Sequence, residues 1–203
     1  MNTVLEITKT SLITEVFQNG QVLHARLISV EEYDRMIEHG ILTTEDKVEL
    51  LNGVIIEKMP KGIKHAAIND LVAESFREKL GNQVIIRNQN PIVLDDFSEP
   101  EPDIVLAKPP REIYFERHPK AEDILLIVEI SDSTLGRDRF AKGLAYSSAG
   151  IRQYLIVNVA ENSIEDYREP SADGYKSKQT FHKGESFSLA AFPEIEIKID
   201  DLF

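Results

Sequence analysis

The sequence predicts an α/β (α+β) fold: a mixed central sheet flanked by helices, with an N-terminal helix and β-hairpin before it and extra strands after it. Three observations predict it. The elements through the middle of the chain run from a helix through successive strands to a second helix and a further strand. The run Leu125-Leu126-Ile127-Val128 is apolar at every position, as in a strand buried on both faces. Asn52-Gly53 lies between apolar, β-branched flanks, a strong hairpin signal because both turn positions need positive φ.

Residues 1–28 are weakly patterned and read as an N-terminal arm, and residues 29–203 as a single domain. Ser29-Val30-Glu31-Glu32 is a capping box, and Tyr33, Met36 and Ile37 give helical spacing up to Gly40. The hairpin around Asn52-Gly53 ends at Pro60. His65 to Leu80 reads as a helix, with Ile68, Leu71, Val72, Ser75, Phe76 and Leu80 on one stripe and Gly81 closing it. Strands are expected at 84–86, 92–94, 104–107 and 124–130. Between them, about 108–122 is polar, carries Pro109, Pro110 and Pro119, and reads as a loop. Asp138 to Ala149 reads as a helix with Phe140, Leu144, Ala145 and Ser148 on its packed side. Tyr154 to Val157 is a buried strand, and further strands are expected at 165–168, 175–181 and 195–199.

Composition narrows the function. The chain has 203 residues, enough for a full core, and its hydrophobic fraction of 42% is that of a soluble protein. No run approaches the roughly 18 apolar residues of a membrane span. Met1 to Glu6 lacks a basic region and an apolar signal core, which points to the cytoplasm. No cysteine is present, so disulfides, zinc-thiolate sites and thiol catalysis are excluded. A net charge of −12 opposes non-specific coating of nucleic acid, whose affinity comes mainly from Lys and Arg. It weighs less against a nuclease, because an acidic metal site itself adds negative charge.

The residues that carry chemistry are Asp103 and Glu129, each at the edge of an apolar run. Paired strands bring them together, and two carboxylates hold a hard divalent cation such as Mg2+ or Mn2+. The backbone carbonyl of Ile130 is a further candidate ligand. Lys142, on the following helix, can orient the attacking water or stabilise transition-state charge. Two strand acids and one lysine are the equipment of a metal-dependent phosphodiesterase. The plainer alternatives are a Pro-Asp turn at residue 103, a solvated Glu129, and an i,i+4 ion pair between Asp138 and Lys142. His65 is a candidate phosphate contact or base, or else a helix-start group. Glu74 and Glu78 read as the solvated face of their helix. Arg87, Lys108, Arg111, Arg137 and Arg139 are the cations available to rim such a site, with solvated charge as the alternative reading.

The string Pro102-Asp103, Glu129-Ile130-Ser131-Asp132-Ser133-Thr134, Asp138, Lys142, Tyr146, Gly150-Ile151 and Tyr154 to Val157 resembles the restriction-endonuclease-like superfamily, named for its Pro-Asp…Asp/Glu-X-Lys motif. More closely, with Glu49 to Gly53 and His65 added, it resembles the Uma-type family, formerly a domain of unknown function, whose members are taken to be endonucleases. The resemblance covers about residues 29–199. It implies a restriction-endonuclease-like fold, an endonuclease acting on DNA, and a homodimer. It also makes Glu49 a third acid near the site, against the alternative of an exposed hairpin residue. The general pattern puts its lysine at the position of Ser131; the Uma-type pattern moves it to Lys142. Asn158 stands where the family often has an acid. Two other readings stay open: an interaction or regulatory protein on a retired nuclease scaffold, and a hydrolase of a smaller phosphate ester.

Overall fold

A computed structural model of the chain describes residues 13–18 and 21–203. The expected N-terminal arm falls in part on residues 1–12 and 19–20, which lie outside the described residues. The described residues form two compact units, 13–18 and 21–58 with 95–99, and 59–94 with 100–203.

In the first unit, β1 (Ile13–Gln18) and β2 (Gln21–Arg26) form an antiparallel pair. Helix α1 (Val30–Glu38) starts on the expected capping box: the Glu32 N–H donates to Ser29 Oγ at 3.2 Å, and the Ser29 N–H donates to Glu32 Oε2 at 3.1 Å. β3 (Val48–Leu51) and β4 (Val54–Glu57) pair antiparallel across the Asn52-Gly53 turn. Both turn residues have positive φ, 52° and 76°. Gly53 is required twice over, because a Cβ there would lie 2.7 Å from Leu27 Cβ. Residues 95–99 complete this unit: the Gly53 N–H donates to the Phe97 carbonyl at 2.6 Å and the Glu99 N–H to the Leu50 carbonyl at 2.8 Å.

The second unit opens with helix α2 (Ile63–Leu80) and is built on a six-stranded sheet. Its strands are β5 (Ile85–Asn88), β6 (Ile104–Ala107), β7 (Ile124–Ser131), β8 (Gln153–Asn158), β9 (Ser163–Ser171) and β10 (Gly174–Phe181). Their order is β10-β9-β8-β7-β6-β5, antiparallel except for the parallel β7–β8 pair. A parallel pair needs a crossover, and residues 135–148 supply it as α3 (Leu135–Arg137), a π-turn (Asp138–Lys142) and α4 (Gly143–Ser148). A hairpin of β11 (Ser186–Leu189) and β12 (Phe192–Lys198) follows.

The two faces of the sheet sort by the strand period of two. Ile104, Leu106, Leu126, Val128, Leu155 and Val157 pack in one cluster with Val72, Phe76 and Leu80 of α2 and with Phe187 and Ile197 of the C-terminal hairpin. Burying each such side chain contributes about 1.5–3 kcal/mol. The other face carries Ile127, Glu129, Tyr154, Ile156, Glu165 and Tyr167, and Tyr146 of α4 meets Tyr154 edge-on at 5.0 Å. The fold is therefore a mixed central sheet flanked by helices, as the sequence predicts. β7, buried along nearly its whole length, is its central strand. Among the described residues no helix is long and apolar enough to cross a membrane.

The structure corrects four local expectations. Residues 92–94 do not form a strand. Val93 makes one isolated bridge to Lys120, and Ile92 bonds instead to the Pro100 carbonyl, so the segment's bonds are split between two neighbours and no ladder forms. The stretch 108–122 is not simply a loop, since Arg111–Phe115 coils into a 3-10 turn and Arg117 grips Asp123 through two nitrogens. The largest correction concerns the crossover helix. Phe140 and Leu144, expected on its packed side, are 76% and 45% exposed, while Asp138, Lys142, Ala145 and Tyr146 are buried. The π-turn adds a residue to the turn and rotates the frame, and hydrogen bonds satisfy the polar groups it turns inward. Leu71 of α2 is likewise 47% exposed rather than in its helix's buried stripe.

Candidate active site

Strand register sets the two acidic residues level on neighbouring chain segments. Ile104 of β6 faces Val128 of β7, so Asp103, one step before β6, lies level with Glu129. Asp103 reaches across to the central strand: its Oδ2 accepts from the Ile130 N–H at 2.9 Å. The same oxygen meets His65 Nε2, in the first turn of α2, at 3.1 Å. An ionised carboxylate only accepts, so this contact assigns the proton to Nε2. His65 Nδ1 is buried and has no partner among the described residues. On the other side of the carboxylate, Gln89 Nε2 lies 3.5 Å and Lys61 Nζ 3.9 Å from Oδ1. Burial pushes the Asp103 carboxyl up, but the His65 contact, with help from the Ile130 N–H, outweighs it and holds the group below the usual carboxylate range.

Glu129 points to the opposite-facing helix. Its Oε1 accepts from Lys142 Nζ at 2.8 Å and from the Tyr146 hydroxyl at 2.6 Å. Glu129 and Lys142 are only 4% and 5% exposed. Such a buried pair is tolerable because each charge is met at hydrogen-bond distance. The π-turn makes this possible, because it turns Lys142 inward from a helix whose Phe140 looks out.

Asp138, the expected i,i+4 partner of Lys142, accepts from Thr134 Oγ1 at 2.5 Å, and burial pushes its carboxyl up despite that bond and the Lys142 charge. Its backbone carbonyl accepts from the Tyr154 hydroxyl at 3.0 Å. Burial, with Glu129 and Asp138 nearby, raises the Tyr154 phenol well above its ordinary value, so it remains a donor.

Asp103, Glu129, Ile130, Lys142 and His65 thus form one chain of hydrogen bonds and strand neighbours. Glu49 lies in the first unit, opposite Ile56 in β3, and is buried rather than an exposed hairpin residue. Glu74 is exposed and paired with Arg77. Asn158 closes the turn after β8 by accepting from the Glu161 N–H at 3.2 Å. Of the expected rim cations, Arg139 is instead committed to Glu165 of β9 through two nitrogens, and Lys108 donates to the Glu122 carbonyl. Arg87 stacks over Tyr114 at 5.8 Å.

Sequence reasoning assigned no role to Tyr146 and missed the Arg139–Glu165 pair. The signal for Tyr146 was its i+4 spacing from Lys142. Glu165 gave none, since its partner lies on an element 26 residues earlier.

A family model described as "Putative restriction endonuclease" matches residues 30–200. No curated protein matches the chain. Among solved structures, one described as "a putative nuclease belonging to DUF820" from Anabaena variabilis superposes with a TM-score of 0.64. It is 19% identical over 87% of this chain and 97% of that one, a likeness of fold.

Proposed function

The chain belongs to the Uma2 restriction-endonuclease family, and from that premise we propose that it is a metal-dependent endonuclease hydrolysing phosphodiester bonds in DNA. One observation carries the reading: two buried carboxylates, Asp103 and Glu129, stand level on adjacent strands with the Lys142 ammonium on one of them.

The donor set fits a hard cation. Among the described residues no group of three or more His, Cys, Asp or Glu side chains converges as a complete cage. Two carboxylates with a backbone carbonyl suit magnesium or manganese, which keep several water ligands. Asp103, Glu129 and the Ile130 carbonyl would hold the ion, which when bound supplies charge neutralisation at the phosphate and an acidified water. The remaining work falls to the chain. His65 and the Ile130 N–H fix the Asp103 carboxylate in place. Lys142 and Tyr146 do the same for Glu129, and the Lys142 ammonium supplies positive charge where negative charge grows at the phosphate. A homodimer would present two such sites to the two strands of a duplex.

The test is cleavage of supercoiled plasmid and of single-stranded DNA with magnesium, manganese or chelator. Asp103→Asn, Glu129→Gln and Lys142→Met variants are run alongside. The expected result is metal-dependent cutting that falls at least about 100-fold in each variant. Cutting that survives Asp103→Asn would sink this site assignment. No cutting, with no metal-induced rise in Tm that Asp103→Asn removes, would favour the non-catalytic scaffold.

A further inference from the structure

Glu129 has a counterpart on the same face of the sheet. Glu129 of β7 faces Ile156 of β8, which faces Glu165 of β9. The two carboxylates thus lie in one register row, two strands or roughly 9–10 Å apart. Each receives a cation from the same π-turn: Lys142 bonds Glu129, and Arg139, three residues earlier, bonds Glu165.

We propose that the Arg139–Glu165 pair is a positioning device for Lys142: it pins the π-turn to β9 so that the Lys142 ammonium is held on Glu129. The inference rests on the reading of Lys142 as the lysine of the active site.

Four features support it. The Arg139 fork engages both Glu165 oxygens, Nε on Oε2 at 3.0 Å and Nη2 on Oε1. Two parallel bonds fix orientation as well as distance, which a lysine on a carboxylate does not. Glu165 is only 2% exposed, and it also accepts from the Tyr167 hydroxyl at 2.6 Å and meets Lys178 Nζ at 3.0 Å. It is therefore a built anchor rather than a surface ion pair. Between the two tethers Phe140 stands 76% exposed, so apolar packing at the middle of the turn does not hold it down. A π-turn is rare and occurs mostly as a single turn within a helix, frequently at functional sites. Arg139 touches neither Asp103 nor Glu129 in any hydrogen bond or ion pair among the described residues, so its influence passes through Lys142.

The test reads Lys142 directly and needs no substrate. Metal-free protein is acetylated with a water-soluble N-hydroxysuccinimide ester, and each lysine is followed by peptide mass spectrometry. In the wild type, Lys142 should react far more slowly than exposed Lys64. In Arg139→Met and Glu165→Gln its labelling should rise about tenfold through local opening, while amide exchange of β7 and β8 stays unchanged. Arg139→Lys keeps the charge without the fork and should fall between. In cleavage assays Arg139→Met should lower kcat with KM unchanged, and should add nothing in a Lys142→Met background. Unchanged Lys142 labelling in both Arg139→Met and Glu165→Gln would overturn the proposal, as would full additivity with Lys142→Met. If Glu165→Gln fails to fold, Arg139→Met and Arg139→Lys carry the same measurement. If the protein cuts nothing, the labelling still decides the positioning claim while the nuclease reading falls.

Discussion

Lys142 donates to Glu129 Oε1 at 2.8 Å, and the two side chains are 6% and 5% exposed. A lysine from a crossover helix and a glutamate from the central strand thus share one buried charge pair. Removing either partner takes from the other its nearest buried counter-charge. Lys142→Met should therefore destabilise the fold by about 3–5 kcal/mol, and Lys142→Met with Glu129→Leu should recover much of that. Urea unfolding of the three proteins checks it. A single-variant loss below about 1 kcal/mol would mean that the pair is solvated in solution.

Tyr146 is fully buried, and its hydroxyl is the second donor to Glu129 Oε1. Tyr146→Phe keeps the ring against Tyr154 and deletes only that donor. The expected cost is about 1–3 kcal/mol, because a buried carboxylate loses one of its hydrogen bonds. If Tyr146 only packs, Tyr146→Phe will match the wild type in both Tm and metal-dependent cleavage.

Glu165 sets a pH dependence. Burial pushes its carboxyl up, but Arg139, Tyr167 and Lys178 outweigh this and draw it down to about 2, from an ordinary 4.5. A depressed acid binds fewer protons in the native state than in the unfolded one. Its stabilisation is therefore present above pH 4.5 and lost as pH falls toward 2. Arg139 and Lys178 are 34% and 41% exposed, so solvent screens part of the effect, leaving about 2 kcal/mol. Asp103, also depressed, works in the same direction, and Asp138, raised by burial, in the opposite one. The Glu165 share is therefore the difference between wild type and Glu165→Gln. Urea midpoints from pH 6 to pH 3 should converge as the pH falls, and parallel curves would refute the assignment.

Gly53→Ala should damage the first unit. The residue has φ +76°, and a Cβ would sit 2.7 Å from Leu27 Cβ. Both the backbone and the neighbour resist the change, at a cost of about 2–4 kcal/mol. Amide exchange at Val48–Glu57 should quicken, while the strands of the second unit keep their protection. Equal protection in both proteins would show that the turn relaxes without cost.

Much of this protein was legible in its sequence, because short-range physics suffices for it. The capping box at Ser29, the Asn52-Gly53 turn and the all-apolar run of β7 each announce themselves within a few residues. The level placement of Asp103 and Glu129 was legible too, since two acids at the edges of apolar runs come into register once those strands pair. Tertiary structure alone decided which side of the crossover helix faces in. Hydrophobic spacing favoured Phe140 and Leu144, but the π-turn buries Lys142 and Tyr146 instead, because Glu129 offers them hydrogen bonds that no local rule anticipates. The same holds for Arg139, which reads as a free cation and ends on Glu165, and for residues 92–94, whose backbone bonds go to Pro100 and Pro119. Local preference sets the elements; long-range pairing of charges and backbone groups, which depends on the folded neighbours, decides where each polar side chain goes.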